Sequence, residues 1–226
     1  MGPSFSLMTA NLLHERCDVD DFSRVLNEMS PDVLVTQELA NSCAEVIQGF
    51  YSNHQLRPSI DFTGRGIATR FDAEFGDIEM PGRNGTCARL DVDGTTMRLA
   101  GVHLLNPIHF PWWSAAAGRR RQLEGLMGWL DEGSRRPVMV AGDFNATPAW
   151  PAYKRVAEKL TDLVAARAED EGTSPSPTWG WRPGWPRLLR IDHVFGLGMR
   201  ATAVRVEPIA GTDHAAVMVD AELDAR

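Results

Sequence analysis

Two short runs constrain what this chain can fold into: Asp32–Thr36 (DVLVT) and Pro137–Ala141 (PVMVA). Each is a brief apolar segment bounded by turn residues, which suits a strand buried on both faces. Ahead of the first run, Val19, Phe22, Val25, Leu26 and Met29 recur at a helical period, and Ser30-Pro31 stops that helix. Phe5 to Ala10 alternate as a first strand, so the chain opens strand–helix–strand.

The same reading runs on down the chain. Gly64–Arg70 reads as a short strand after a glycine turn. Thr86–Val92 and Thr95–His103 read as strands joined at Asp93-Gly94, a pair suited to the positive φ of a tight hairpin. Residues 104–113 form a Pro-broken loop, and Ser114–Leu130 is a helix with Leu123, Leu126, Met127 and Leu130 on one face. After the PVMVA strand, Ala152–Ala166 is expected as one helix and Gly172–Pro186 as a long Pro- and Trp-rich loop. Leu188–Phe195, Ala201–Val206 and Ala215–Leu223 complete the strands. Hairpins and crossovers occur together, which predicts α/β layers in a single domain over residues 1–226. Periodicity alone does not choose the architecture.

A net charge of −7 argues against avid, non-specific coating of nucleic acid, which needs Lys and Arg to displace counterions. It leaves a local basic groove open. Cys17, Cys43 and Cys87 are odd in number and lack a C-x-x-C pair, so they read as small buried hydrophobes in a reducing compartment. No signal peptide and no membrane-length apolar stretch is seen, so a cytoplasmic monomer is the default; an upstream segment in the native gene would make it membrane-tethered or extracytoplasmic.

The chemistry sits where the strands end. Asn11, Glu38, His103, Asp143, Asn145, Asp192, Asp213 and His214 each lie at or just past an apolar run. Singly, each has an ordinary reading as a turn former, a helix-start charge or a structural histidine. Together they supply hard oxygen ligands of the kind Mg²⁺, Mn²⁺ or Ca²⁺ takes, with histidines for proton transfer near neutral pH. His14, His54 and His109 lack such company and default to surface or loop roles. Asp32 and Glu169-Asp170-Glu171 read as solvent-facing charges, and Arg119-Arg120-Arg121 as a solvated helix face. Trp112, Trp113, Trp179, Trp181 and Trp185 lie in two loops and suit either packing onto the body or gripping a base or a lipid.

TANL around Asn11, TQE at Glu38, GVH at His103, GDFNATP at 142–148, RIDH at 190–193 and TDH at 212–214 together resemble the endonuclease/exonuclease/phosphatase superfamily, in order and spacing over essentially the whole chain. GDFNATPAWPAY, PTW at 177–179 and LLRIDHVF look closest to a bacterial subgroup that includes membrane-anchored proteins linked to teicoplanin resistance. The resemblance implies a four-layer α/β sandwich, two packed mixed β-sheets flanked by helices. It implies Glu38 as principal metal ligand, with Asn11 beside it and Asp213 as a further contact, holding Mg²⁺ or Mn²⁺. It implies Asp143 to orient or deprotonate water, Asn145 to hold that water or the phosphate, and His214 to bind phosphate or move a proton, with Asp192 fixing its ring. His103 would steady the phosphate or assist the leaving group. Two departures stand out: Leu13 replaces an acidic residue found in some of the family's nucleases, and His193 stands where many relatives have Tyr and is given no catalytic task.

The expectation is therefore a metal-dependent phosphoesterase cleaving a phosphodiester, phosphomonoester or pyrophosphate by in-line attack of water. A small-molecule or lipid-linked substrate is favoured. The rivals are a DNA or RNA nuclease, for which nucleic acid would be the partner, and a binding module of the same fold without catalysis.

Overall fold

The computed structural model describes residues 2–107, 112–132 and 137–225, with the side chains of 112–114 left aside. His109, Trp112 and Trp113 thus lie outside the described side chains. Strand β1 (Ser4–Asn11) leads through a short 3₁₀ turn (His14–Arg16) to helix α1 (Val19–Met29) and strand β2 (Val33–Gln37). Asp18 caps α1 by accepting from the Asp20 and Asp21 amides, and Ser30 ends it in a left-handed conformation just before Pro31. Then come α2 (Asn41–Phe50), β3 (Asn53–Arg57), β4 (Arg65–Thr69), β5 (Ala73–Ile78), β6 (Gly85–Val92) and β7 (Thr95–His103). Helix α3 (Trp112–Asp131) crosses to β8 (Val138–Asp143). The chain closes with α4 (Pro151–Ala157), β9 (Thr161–Asp162), α5 (Leu163–Asp170), β10 (Trp179–Gly180), β11 (Arg187–Leu189), β12 (Asp192–Leu197), β13 (Met199–Pro208) and β14 (Ala215–Leu223).

Two six-stranded sheets form, ordered β13-β14-β1-β2-β4-β3 and β5-β6-β7-β8-β12-β9. Each is mixed: β1 runs parallel to β2, and β7 parallel to β8, while the other pairs are antiparallel. The two-residue period of the strands sorts their side chains into layers. Leu7, Val33, Val35, Val217 and Val219 of the first sheet meet Leu99, Met139, Ala141 and Val194 of the second in the central core. Their sequence neighbours point outward. Met8, Leu34 and Met218 pack beneath Phe22, Val25 and Leu26 of α1 and Cys43 and Ile47 of α2. Ala100, Val140 and Phe195 pack beneath Leu126, Met127 and Leu130 of α3 and Val156 of α4. Helix, sheet, sheet, helix is the four-layer sandwich that the resemblance implies. Each fully buried Leu, Val or Ile stabilises it by about 1.5–3 kcal/mol.

Several local expectations needed correction. Residues 152–166 are two helices, not one: Asp162 pairs with β12 and then caps α5 through the Val164 and Ala165 amides, restarting the helix. Residues 188–195 are two strands in different sheets, β11 pairing with β10 and β12 with β8. Asp32 is not a free charge, because it accepts from both the amide and the hydroxyl of Ser6. Arg119 is not solvated, because it donates to the Leu105 and Phe144 carbonyls, whereas Arg120 and Arg121 are exposed. The Asp93-Gly94 turn has φ of 49° and 79°, as the hairpin requires. Cys17 and Cys43 are buried, Cys87 is partly so, and none is in a disulfide.

Candidate active site

The parallel pairs β1/β2 and β7/β8 end at the same edge of the sandwich, and that edge gathers the polar residues. Register sets the layout. In the first sheet Asn11 lies opposite Gln37, with Glu38 next. In the second, His103, Asp143 and Asp192 lie in one row across β7, β8 and β12. His214 immediately precedes β14, the strand beside β1.

The Asn11 side chain bridges the two sheets: Nδ2 donates to Glu38 Oε1 at 3.3 Å and to Asp143 Oδ2 at 3.2 Å, while Oδ1 accepts from the Leu13 amide at 3.1 Å. Asp143 Oδ1 accepts from the Asn145 amide at 2.7 Å, and Oδ2 from Asn145 Nδ2 at 3.1 Å. Asn145 Nδ2 also donates to the Leu104 carbonyl at 3.0 Å, so both its hydrogens are committed, one to Asp143 and one to the chain after β7. His103 Nε2 lies 3.3 Å from Asp143 Oδ2 and 3.8 Å from Glu38 Oε1. His214 Nδ1 bonds Asp192 Oδ2 at 2.9 Å, and Thr178 Oγ1 donates to the same oxygen at 2.6 Å. His214 Nε2 then faces Asp143 Oδ2 at 3.9 Å.

The local backbone is bent to make this possible. Four of the six non-glycine residues with positive φ among the described residues, Leu13, His14, Glu38 and Asn145, stand at this edge. Each such conformation costs on the order of 1 kcal/mol and aims a side chain that a regular strand would point elsewhere. Gly142 precedes Asp143 at a φ of 143°, and a Cβ there would lie 2.0 Å from the Val102 carbonyl oxygen. Only glycine lets β7 approach β8 at that point.

Burial and charge then set the protonation states. Burial raises the Asp143 carboxyl to about 7, with the negative charges of Asp192 and Glu38 adding to it against the pull of His214. Burial likewise raises Glu38. For His214, burial acts against the charged form, but Asp192, Asp143 and Asp213 outweigh it and raise the ring to about 10. His103 is driven well below its usual value by burial and by the positive charges of Arg83 and His214, so it is neutral.

All eight sequence-derived residues lie at this edge, but not in one shell. Asp213 belongs to the His214 side: its Oδ2 accepts from Trp179 Nε1 at 3.1 Å, its Oδ1 is buried without a partner, and no contact joins it to Glu38 among the described residues. His14 departs from the surface role expected for it, since its Nε2 meets Glu38 Oε2 at 2.8 Å. Thr178 and Arg83 were not singled out by sequence. Thr178 lay in the PTW stretch, but no pattern in the sequence marks Arg83. His193 is buried among Phe144, Tyr153 and Phe195 and bonds the Ala146 carbonyl at 2.8 Å, a packing role consistent with its having no catalytic task.

Which group could hold a cation follows from these bonds. Asp143, Asp192 and His214 offer ligand atoms within 4.8 Å of one another, but the Asp192–His214 bond already engages two of the three. Glu38, partly buried, and Asp143, fully buried, are instead two carboxylates held about a neutral amide, with burial opposing the charge of each. That hard oxygen set suits a divalent metal cation.

Residues 8–214 match the Endonuclease/Exonuclease/phosphatase family, and the chain belongs to that family of phosphoester hydrolases. Its fold is similar to the catalytic domain of human Nocturnin, with a TM-score of 0.75, 16% identity, and coverage of 99% of this chain and 96% of that one. It is similar to a humanized D. rerio TDP2, with a TM-score of 0.73, 19% identity, and coverage of 97% and 99%. An endonuclease/exonuclease/phosphatase from Beutenbergia cavernae DSM 12333 gives a TM-score of 0.73 at 20% identity, covering 99% of this chain and 72% of that one. No curated protein sequence matches the chain. Among the described residues no helix is long and apolar enough to cross a membrane.

Proposed function

We propose that this protein hydrolyses a phosphate ester with the aid of Mg²⁺ or Mn²⁺, acting on a small-molecule or lipid-linked substrate. The observation that carries the proposal is the Asn11 amide, which ties Glu38 of one sheet to Asp143 of the other and so brings the ends of both βαβ units around one point. Glu38 and Asn11 would hold the cation, with Asp213 available to a further contact. When bound, the cation would neutralise phosphate charge and polarise water.

The chain's own residues have distinct parts. Asp143, poised near neutrality, takes the proton of the attacking water as its oxygen bonds to phosphorus and the opposite P–O bond breaks. Asn11 and Asn145 fix that carboxylate in place. The His214 cation, set by Asp192 and Thr178, pairs with phosphoryl oxygens through Nε2 or hands its proton to the leaving oxygen. Neutral His103 can donate from Nε2 without repelling the cation.

The rim supports an ester with an apolar part. Trp181, Trp185 and Leu188 are exposed, and Trp181 stacks edge-on against Trp179, which bonds Asp213. Across the site, half-exposed Phe62 lies 6.4 Å from the His14 ring. The same tryptophans could stack a base, which is what favours the nuclease reading; the net charge of −7 weighs against it. The presence of every central residue weighs against an inactive binding module.

A divalent-metal activity screen over phosphomonoesters, phosphodiesters, pyrophosphates and oligonucleotides tests the proposal, with Asp143→Ala as control. Turnover should disappear in that variant, as in Glu38→Ala and His214→Ala, while the fold is kept. Full activity of Asp143→Ala on every substrate would overturn the role assignment, and salt-dependent cleavage of oligonucleotides alone would favour the nuclease.

A further inference from the structure

Arg83 stands on the turn between β5 and β6, after Gly82, and its backbone is fixed from both sides. Its amide donates to the Met80 carbonyl at 3.1 Å, and its carbonyl accepts from Gln122 Nε2 of α3 at 3.4 Å. The side chain is only 8% exposed. Its guanidinium carbon lies 4.9 Å from the centroid of the Phe62 ring, so packing holds it in place. Nε and Nη1 are buried and have no hydrogen-bond partner.

Burying a guanidinium without pairing it is costly, and such groups are ordinarily matched to a carboxylate. Burial pulls the Arg83 guanidinium below its ordinary value, and the nearby acids Glu38, Asp143 and Asp61 favour its charge without outweighing that burial. None pairs with it among the described residues. Arg83 also shares a small cavity with Arg65, Thr86 and His103, the last of which faces Glu38 and Asp143 through Nε2. Arg65 Nε and Thr86 Oγ1 in that cavity are likewise buried and unpartnered. The unpartnered nitrogens of Arg65 and Arg83 can only donate. These donors favour an anion; the cavity itself, of about 10 Å³, has room for no more than a water, so the anion they favour is one held outside it beside Glu38 and Asp143, where a phosphoesterase binds a phosphoryl group.

We propose that Arg83 is a phosphate-binding residue of the site, its free N–H groups donating to non-bridging oxygens of the substrate's phosphoryl group. The proposal rests on the phosphoesterase reading and adds to it a cation supplied by the β5–β6 turn. The substrate's phosphate provides the missing counter-charge, so substrate binding and relief of the buried charge are one event.

The test is calorimetric titration of inorganic phosphate into the Mn²⁺-loaded wild type, Arg83→Gln and Arg83→Lys, with thermal unfolding of each measured with and without phosphate. Arg83→Gln should bind phosphate roughly tenfold to a hundredfold more weakly, and its KM for an ester should rise by a similar factor. Arg83→Lys, which keeps the charge without the planar donor set, should fall between. Without phosphate, Arg83→Gln should melt no lower than the wild type, because it removes an unpaired buried charge; a residue serving only to hold the turn would give the opposite. Should Arg83→Gln fail to fold, which itself counts against the proposal, phosphate affinity in Arg83→Lys equal to wild type completes the refutation. Wild-type phosphate binding that Arg83→Gln reproduces to within a factor of about two overturns the role of Arg83 and leaves the phosphoesterase reading standing. A wild type that neither binds phosphate nor cleaves any ester sinks both.

Discussion

Replacing Asp192 with Asn removes one charge from the site and leaves its shape. His214 is fully buried, and burial alone would favour a neutral ring; the Asp192 carboxylate at 2.9 Å, helped by Asp143 and Asp213, reverses this and raises the ring to about 10. Moving from an ordinary 6.5 to about 10 corresponds to roughly 5 kcal/mol in favour of the cation. Because the folded value is raised, this stabilisation is complete below about 6.5 and is lost as pH rises through about 10. In Asp192→Asn the side-chain carbonyl can still accept from Thr178 Oγ1, but the amide cannot balance a cation. Only Asp143 and Asp213 then oppose burial, and His214 should titrate well below its wild-type value. Carbon-detected NMR titration of the histidine ring resonances reads this directly. The wild-type ring should stay charged well past neutrality, and the variant ring should be neutral at pH 7.5. Turnover at that pH should fall by roughly 10²–10⁴. If the His214 resonance titrates at the same pH in both proteins, Asp192 does not control its charge, and the pairing argument is refuted.

Three further outcomes follow from the same site. Activity against pH should be bell-shaped, rising as Asp143 ionises at about 7 in the bare site, and lower once a divalent cation binds, then falling as His214 loses its proton at about 10; activity that holds level from pH 8 to 11 would contradict the His214 assignment, and a rising limb that cation concentration does not move would contradict the Asp143 assignment. Glu38→Gln should weaken Mn²⁺ binding at least about tenfold by calorimetry; unchanged binding would move the cation to Asp143, Asp192 and His214. Gly142→Ala should cost about 3 kcal/mol or more in denaturant unfolding, since its Cβ would sit 2.0 Å from the Val102 carbonyl oxygen at a φ of 143°; a loss under about 1 kcal/mol would mean the β7–β8 contact yields.

The central strands were legible because burial on both faces writes itself as apolar runs, as in DVLVT and PVMVA. Edge strands were not. β3 (NHQLR) is half-exposed and β5 borders the second sheet, so neither carries a core pattern. Helix α2 was missed because Ala40 gives it no capping side chain and only Cys43, Ala44 and Ile47 mark its inner face. The site residues could be read because each stands at one end of a strand: Asn11, Glu38, His103, Asp143 and Asn145 at or after the end of one, Asp192 at the start of β12, and Asp213 and His214 just before β14. Arg83 could not, because its importance lies in what it fails to pair with, which depends on the packing of α3 and Phe62 around it. His14 was passed over for a similar reason: only the left-handed bend at Leu13 and His14 turns its ring onto Glu38.

The division of the catalytic set between two sheets has a consequence for when activity can exist. Asn11 and Glu38 come from the first 38 residues, whereas Asp143, Asp192 and His214 come from the last 84, so neither half of the polypeptide holds a working constellation by itself. During synthesis the nascent chain cannot cleave anything until its closing strand β14 has docked beside β1. Hydrolytic competence is thus a late property of the fold, and its appearance during refolding would time the joining of the two halves.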